Sequence, residues 1–263
     1  MLVVSLIVRQ SADRIMEGYF MKGNNHHITR TLFTSMLIVV LATLLLRTSV
    51  ADAATMQQCG KWSVIPSPSG PPPFGSQLNA VAVISTKDVW AVGFNLPGNS
   101  SITTLIEHWN GEKWKVVVSP NPGSTGNELY GVTAISANNV WAVGYYNLNN
   151  GIAYTLIEHW DGKKWSVVSS PNTGIYDQLY NVRAISANDI WAVGISQDSN
   201  NDVNTLTEHW DGTQWSVVPS ANPQGSTGNG LSGVAASSAK NVWTVGIYSS
   251  NRDLHQTLTE FYC

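Results

Sequence analysis

Val140–Val168 reads VWAVGYYNLNNGIAYTLIEHWDGKKWSVV, and the same text returns with losses three more times between Cys59 and Cys263. VWAVG at Val89–Gly93 recurs as Val140–Gly144, as IWAVG at Ile190–Gly194 and as VWTVG at Val242–Gly246. EHW ends at Trp109, Trp160 and Trp210, and degenerates to Glu260-Phe261-Tyr262. The tryptophans that complete the pattern are Trp62, Trp114, Trp165 and Trp215. Each series advances by 50 to 52 residues. A fixed period of that length marks an array of like units that bury their apolar faces against one another.

Within a unit, four short runs rich in β-branched, Leu and Trp residues alternate with turn residues, which reads as four strands. In the second unit these are Leu129–Ser136, Asn139–Tyr145, Tyr154–Trp160 and Lys164–Val168. Asp161-Gly162 joins the last two, with Asn110-Gly111 and Asp211-Gly212 in the same place. Such pairs predict a two-residue hairpin with φ > 0 at both positions. VWAVG and TLIEHW are apolar on both sides, as strands covered on both faces must be. A four-stranded antiparallel meander repeated radially is the blade of a β-propeller. The sequence therefore predicts an all-β, four-bladed β-propeller over residues 59–263, with the recurrent tryptophans packed between blades.

The chain resembles kelch-type propellers in its period and in the Gly after the second strand. It resembles more closely the secreted bacterial propellers built from WAVG…EHWDG…W repeats, over Cys59 to Cys263, about four-fifths of the chain. It lacks the adjacent Gly-Gly pair of kelch. The closer resemblance implies a fold and an exported origin, with no settled activity attached.

The repeats are out of phase with the chain ends. Thr257–Cys263 stops after a third strand, and the missing fourth is found at Cys59–Pro66, CGKWSVIP. A last blade closed by strands from both termini leaves no unpaired edge. Aligned on the second unit, Cys263 falls on Asp161 and Cys59 on Gly162, consecutive positions of a turn cut open by the chain ends. A Cys59–Cys263 disulfide is expected there, since a small relaxation brings the pair within bridging distance. Four meanders with complementary ends predict a closed monomer; the alternative is two chains sharing an eight-bladed ring.

Hydrophobic residues make up 43% of the chain, including eleven Trp, and charged residues only 12%. From Ala54 onward there are nine Lys or Arg and fourteen Asp or Glu, a net charge of 9 − 14 = −5. That sign argues against nucleic acid or an anionic membrane as partner. Ahead of the repeats, Lys22 and Arg30 precede an apolar run at Leu32–Leu46, followed by Ala51-Asp52-Ala53. Residues 1–53 therefore read as a signal peptide, with Met21 as the expected true start and a secreted product. The alternative is an uncleaved anchor that leaves the repeats outside the membrane.

All variation among units falls on one face of the predicted cylinder. There lie the linkers between strands two and three (FNLPGNSSI, YYNLNNGIA, ISQDSNNDV, IYSSNRDLHQ) and between blades (PSPSGPPPFGSQ, PNPGSTGNE, PNTGIYDQ, ANPQGSTGNG). Variable loops on a rigid scaffold are where binding concentrates. Phe94, Tyr145, Tyr146, Tyr176 and Tyr248, interleaved with amides, suit a glycan or a protein surface. Arg183 stands where the other innermost strands carry Ala82, Thr133 and Ala235, and is expected to face the central channel.

Glu107-His108, Glu158-His159 and Glu208-His209 recur in three units and are expected to be structural, bonding the neighbouring blade's backbone. Asp198–Asp202 lacks the Gly and terminal Glu of a calcium loop. No cofactor or metal is expected. No nucleophile elbow, zincin helix or phosphate loop is present. The favoured reading is an exported binding or interaction module. Polysaccharide hydrolysis or lysis is the second reading, since loop carboxylates could converge.

Overall fold

The computed structural model describes residues 60–68, 75–98, 101–250 and 255–263. The expected signal peptide and Cys59 lie outside the described residues, as do parts of three long linkers. Every described strand lies within Val64–Cys263, one of the two units into which the chain divides.

Every regular element among the described residues is a strand. The first meander is β1 (Ser76–Ser85), β2 (Asp88–Asn95), β3 (Thr103–Trp109) and β4 (Trp114–Val116). The second is β5 (Gly126–Ser136), β6 (Asn139–Asn147), β7 (Ala153–Trp160) and β8 (Trp165–Val167). The third is β9 (Tyr176–Ser186), β10 (Asp189–Gln197), β11 (Val203–Trp210) and β12 (Trp215–Val217). The fourth has three strands, β13 (Gly228–Ser238), β14 (Asn241–Ser249) and β15 (His255–Tyr262). All pairings within a meander are antiparallel. Single parallel bridges, Ala153 to Tyr176 and Val203 to Gly228, link the second meander to the third and the third to the fourth.

The apolar pattern of WAVG follows from stacking these meanders face to face. Trp90, Val92 and Ile106 on the front of the first meander pack with Leu129, Val140, Ala142, Leu156 and Trp165 on the back of the second. Trp141, Val143 and Ile157 meet Leu179, Ile190, Ala192, Leu206 and Trp215 in the same way. Val193 meets Leu231 and Leu258 in the third joint. Alternate residues of one strand thus serve two different cores, which is why the strand is apolar throughout. The recurrent tryptophans lock each joint: Trp90 lies 5.0 Å from Trp160 and 5.4 Å from Trp165, and Trp141 lies 5.0 Å from Trp210 and 5.8 Å from Trp215. The arrangement is propeller-like.

Two local expectations change. The Asp-Gly turns are not two-residue hairpins with φ > 0 at both positions. Trp160 pairs Trp165 across four residues, only Gly162 is left-handed at 92°, and Asp161 Oδ1 accepts from the amides of Lys163 (2.8 Å) and Lys164 (2.9 Å). The carboxylate organises the turn in place of a second positive φ. The Glu-His pairs do not bond a neighbouring backbone either. His108, His159 and His209 bond Asp88, Asn139 and Asp189 of their own meanders at 2.8–2.9 Å, their rings resting 4.2–4.5 Å from Trp90, Trp141 and Trp191.

The closing strand expected at Cys59–Pro66 is not formed among the described residues: Trp62 to Pro68 carry no strand, and Trp62 is fully exposed. The fourth meander accordingly ends at β15. A cavity lined by Trp191, Thr244, Leu258, Glu260 and Tyr262 opens beside it. Trp191 there packs on Tyr262 at 4.8 Å, where its counterparts Trp90 and Trp141 each have two tryptophans.

Candidate functional site

The four innermost strands share an irregularity that the repeat text conceals. In β1, Leu78 pairs Gly93 and Ala80 pairs Val92, so Asn79 is skipped. Tyr130, Tyr180 and Ser232 are skipped at the same place in β5, β9 and β13. A one-residue bulge bends the strand and re-aims the skipped side chain. It also explains the Gly of WAVG. A Cβ on Gly93, Gly144 or Gly194 would lie 1.8 Å from the carbonyl oxygen of Gln77, Glu128 or Gln178, and one on Gly246 would lie 1.9 Å from that of Gly230. No side chain fits where the bulge drives the two backbones together.

Because β1 packs on β5, β5 on β9 and β9 on β13, the bulges stand in a row. Around Tyr130 they gather an aromatic cluster. Its ring stacks on Tyr145 at 5.9 Å, meets Tyr180 edge-on at 5.6 Å and lies 6.4 Å from Phe94; Tyr145 lies 6.4 Å from Tyr176. Glu128, nearly buried, accepts hydrogen bonds from Tyr130 (2.8 Å) and Tyr145 (2.9 Å). Tyr180 donates to Gln178 at 2.5 Å, Gln77 donates to Asn79 at 2.6 Å, and Asn79 donates to the Leu129 carbonyl of the next meander at 2.7 Å.

Burial and then the Glu128 hydrogen bond and charge hold the phenols of Tyr130 and Tyr145 well above the usual tyrosine range. Burial, with Tyr176 nearby, pushes Tyr180 up to about 12. These hydroxyls stay neutral donors at any physiological pH. The row offers half-buried rings flanked by a carboxylate and amides, with no nucleophile–base pair in it. Among the described residues no cluster of His, Cys, Asp or Glu could hold a metal ion.

Of the residues singled out from sequence, Phe94, Tyr145 and Tyr176 belong to this cluster. Phe94 and Tyr145 are buried, at 8% and 9% exposure, and form its walls, while Tyr176 is half-buried. Tyr146, pointing to the opposite side of β6, stacks on Tyr154 at 5.3 Å instead. Tyr248 donates to Gln256 at 2.5 Å in the fourth meander. Arg183 is exposed on β9, opposite Trp191 in the ladder. Cys263 is exposed and unpaired among the described residues. Tyr130, Tyr180, Glu128 and Gln178 are absent from the sequence-based candidates. Their only signal is the Leu-Tyr pair inside two of the innermost strands, at Leu129-Tyr130 and Leu179-Tyr180.

No family model matches the chain, and no curated protein matches its sequence. Similar solved structures include a protein of unknown function from Dyadobacter fermentans, with 14% identity and a TM-score of 0.55 over 75% of this chain and 68% of that one. This likeness is one of fold. The chain is also similar to an α-L-arabinanase of Penicillium chrysogenum complexed with arabinobiose, at 13% identity and TM-score 0.48, over 75% of this chain and 64% of that one. A fucose lectin from Kordia zhangzhouensis in complex with methyl-fucoside is similar at 16% identity and TM-score 0.36, over 56% of this chain and 98% of that one.

Proposed function

We propose that this chain is an exported propeller-type binding module whose bulge row takes a glycan. The observation that supports it is the side-by-side placement of the half-buried Tyr130 and Tyr180 rings with Glu128, Gln178, Gln77 and Asn79. Aromatic faces cover the apolar side of a sugar ring, and carboxylate and amide groups take its hydroxyls. Glycoside hydrolysis needs two carboxyls about 5–9.5 Å apart across the scissile bond. Among the described residues the row holds one, Glu128, which favours binding over catalysis.

In this reading the leader at residues 1–53 directs export. The reading is tested by presenting the full chain with a panel of plant, fungal and bacterial-envelope oligosaccharides. Saturable binding to a defined subset is expected; the absence of binding across the panel would sink the glycan assignment.

A further inference from the structure

The three joints between meanders are copies of one joint, and each has a front and a back. The front is the Trp and Val of WAVG with the strand-three residue beside them. The back is the Leu that opens the innermost strand, the following Val, and the two tryptophans that flank the Asp/Asn-Gly turn. In the formed joints these residues are sealed: Trp90, Trp141 and Trp191 are 2–3% exposed, and Leu129, Leu179 and Leu231 are 0% exposed.

One front and one back remain over. On the fourth meander Trp243, Val245, Ile247 and Phe261 are about half exposed, at 51%, 50%, 48% and 50%. On the first, Leu78 and Val81 are 41% and 61% exposed where Leu129 and Val132 are 0% and 9%. The Trp109–Trp114 pair, 5.8 Å apart, has no Trp of a preceding meander against it, whereas Trp160–Trp165 holds Trp90 and Trp210–Trp215 holds Trp141. Trp243 touches only Phe261, at 4.7 Å, among the described rings. A free knob and a free socket of the same joint therefore lie at opposite ends of the array. Among the described residues, no packing like that of β5 on β9 joins β13 to β1.

We propose that these two faces are an interaction surface for a second copy of this chain, front to back, with Trp243 of each copy seated on Trp109 and Trp114 of the other. What identifies the occupant is the joint itself. The chain makes it three times, and the surface that fits a front in each of them is a back of this same repeat. A front-to-back contact is heterologous, and such contacts give either closed rings or open filaments. Two four-meander chains joined at both ends give eight units, within the four to eight of known propellers. The two-chain ring takes the place of the closed monomer expected from sequence.

The test is the oligomeric state of the full chain by light scattering across a dilution series, alongside Trp243→Asp and, independently, Val81→Glu. Both residues are exposed in the single chain, so both variants should keep the wild-type circular dichroism and melting behaviour of the monomer. Wild type is expected at the mass of two chains, with the dissociation constant rising on the order of 100-fold in either variant, as for a buried aromatic at an interface centre. Should Trp243→Asp fail to fold, Val245→Glu on the same face carries the test. A wild-type chain that stays monomeric at every concentration, including one closed on itself, would overturn the proposal, as would a dimer indifferent to these substitutions.

Discussion

Glu158→Gln combined with Glu208→Gln is expected to raise the melting temperature strongly at pH 8 and to leave it nearly unchanged at pH 4. Both carboxyls are 0% exposed, and apart from the Ser119 hydroxyl beside Glu158 neither has a hydrogen-bond partner among the described residues. Burial pushes each up to about 8; the Ser119 hydroxyl facing Glu158 pulls weakly the other way, and the Asp177 charge adds to the rise at Glu208. Unfolded, the same groups titrate near 4.5. Between pH 4.5 and 8 the folded state thus binds more protons than the unfolded state, so unfolding free energy falls as pH rises through that window. Each group costs on the order of 4 kcal/mol at pH 8 relative to acid pH. For a domain of this size that is about 10 °C per carboxyl. The amide keeps the shape and cannot ionise. A wild-type melting curve that is flat from pH 4 to pH 8 would show that these carboxyls reach water or a cation in solution.

Trp141→Ala should destabilise the fold by roughly 3–5 kcal/mol, as truncations of buried aromatics do. Trp141 is 3% exposed, donates to Asn139 Oδ1 at 2.8 Å and lies against His159, Trp210 and Trp215. Its deletion opens a void in a joint whose walls are backbone-fixed strands and cannot collapse. The same change at Trp243, half exposed, should cost under about 1 kcal/mol at concentrations that keep copies apart. Chemical denaturation of the two variants separates the cases. Equal losses would mean that the fourth meander is sealed like the others.

The meanders and their tryptophan joints are legible in the sequence because four imperfect copies of one text expose period, strand order and two-sided burial together. The bulge is not. Gly144 is visible as a recurrent feature of the repeat text, but the carbonyl of Glu128 that excludes its Cβ comes from a strand paired one residue out of step, and register is not written in composition. From sequence, Phe94 and Tyr145 stand among the loop-face binding candidates. They turn inward because the neighbouring meander supplies Tyr130 and Tyr176 against them. The Glu of EHW is legible as structural by its recurrence, but not as a buried, unpartnered carboxyl, since a strand residue's burial depends on the next meander. Closure at the chain ends rests on repeat phase alone, which counts strands without saying whose edge they join.

The central claim is that the bulge row binds a glycan, and calorimetric titration of the best oligosaccharide from the panel against Tyr130→Ser/Tyr180→Ser tests it most directly. Both rings are half-buried beside Glu128 and Gln178, whereas Tyr146→Ser, on the far side of β6, serves as the matched control. The account predicts a loss of at least about 1 kcal/mol per stacked ring in the double variant and unchanged affinity in Tyr146→Ser. Unchanged affinity in Tyr130→Ser/Tyr180→Ser, with binding lost in Tyr146→Ser, would contradict it.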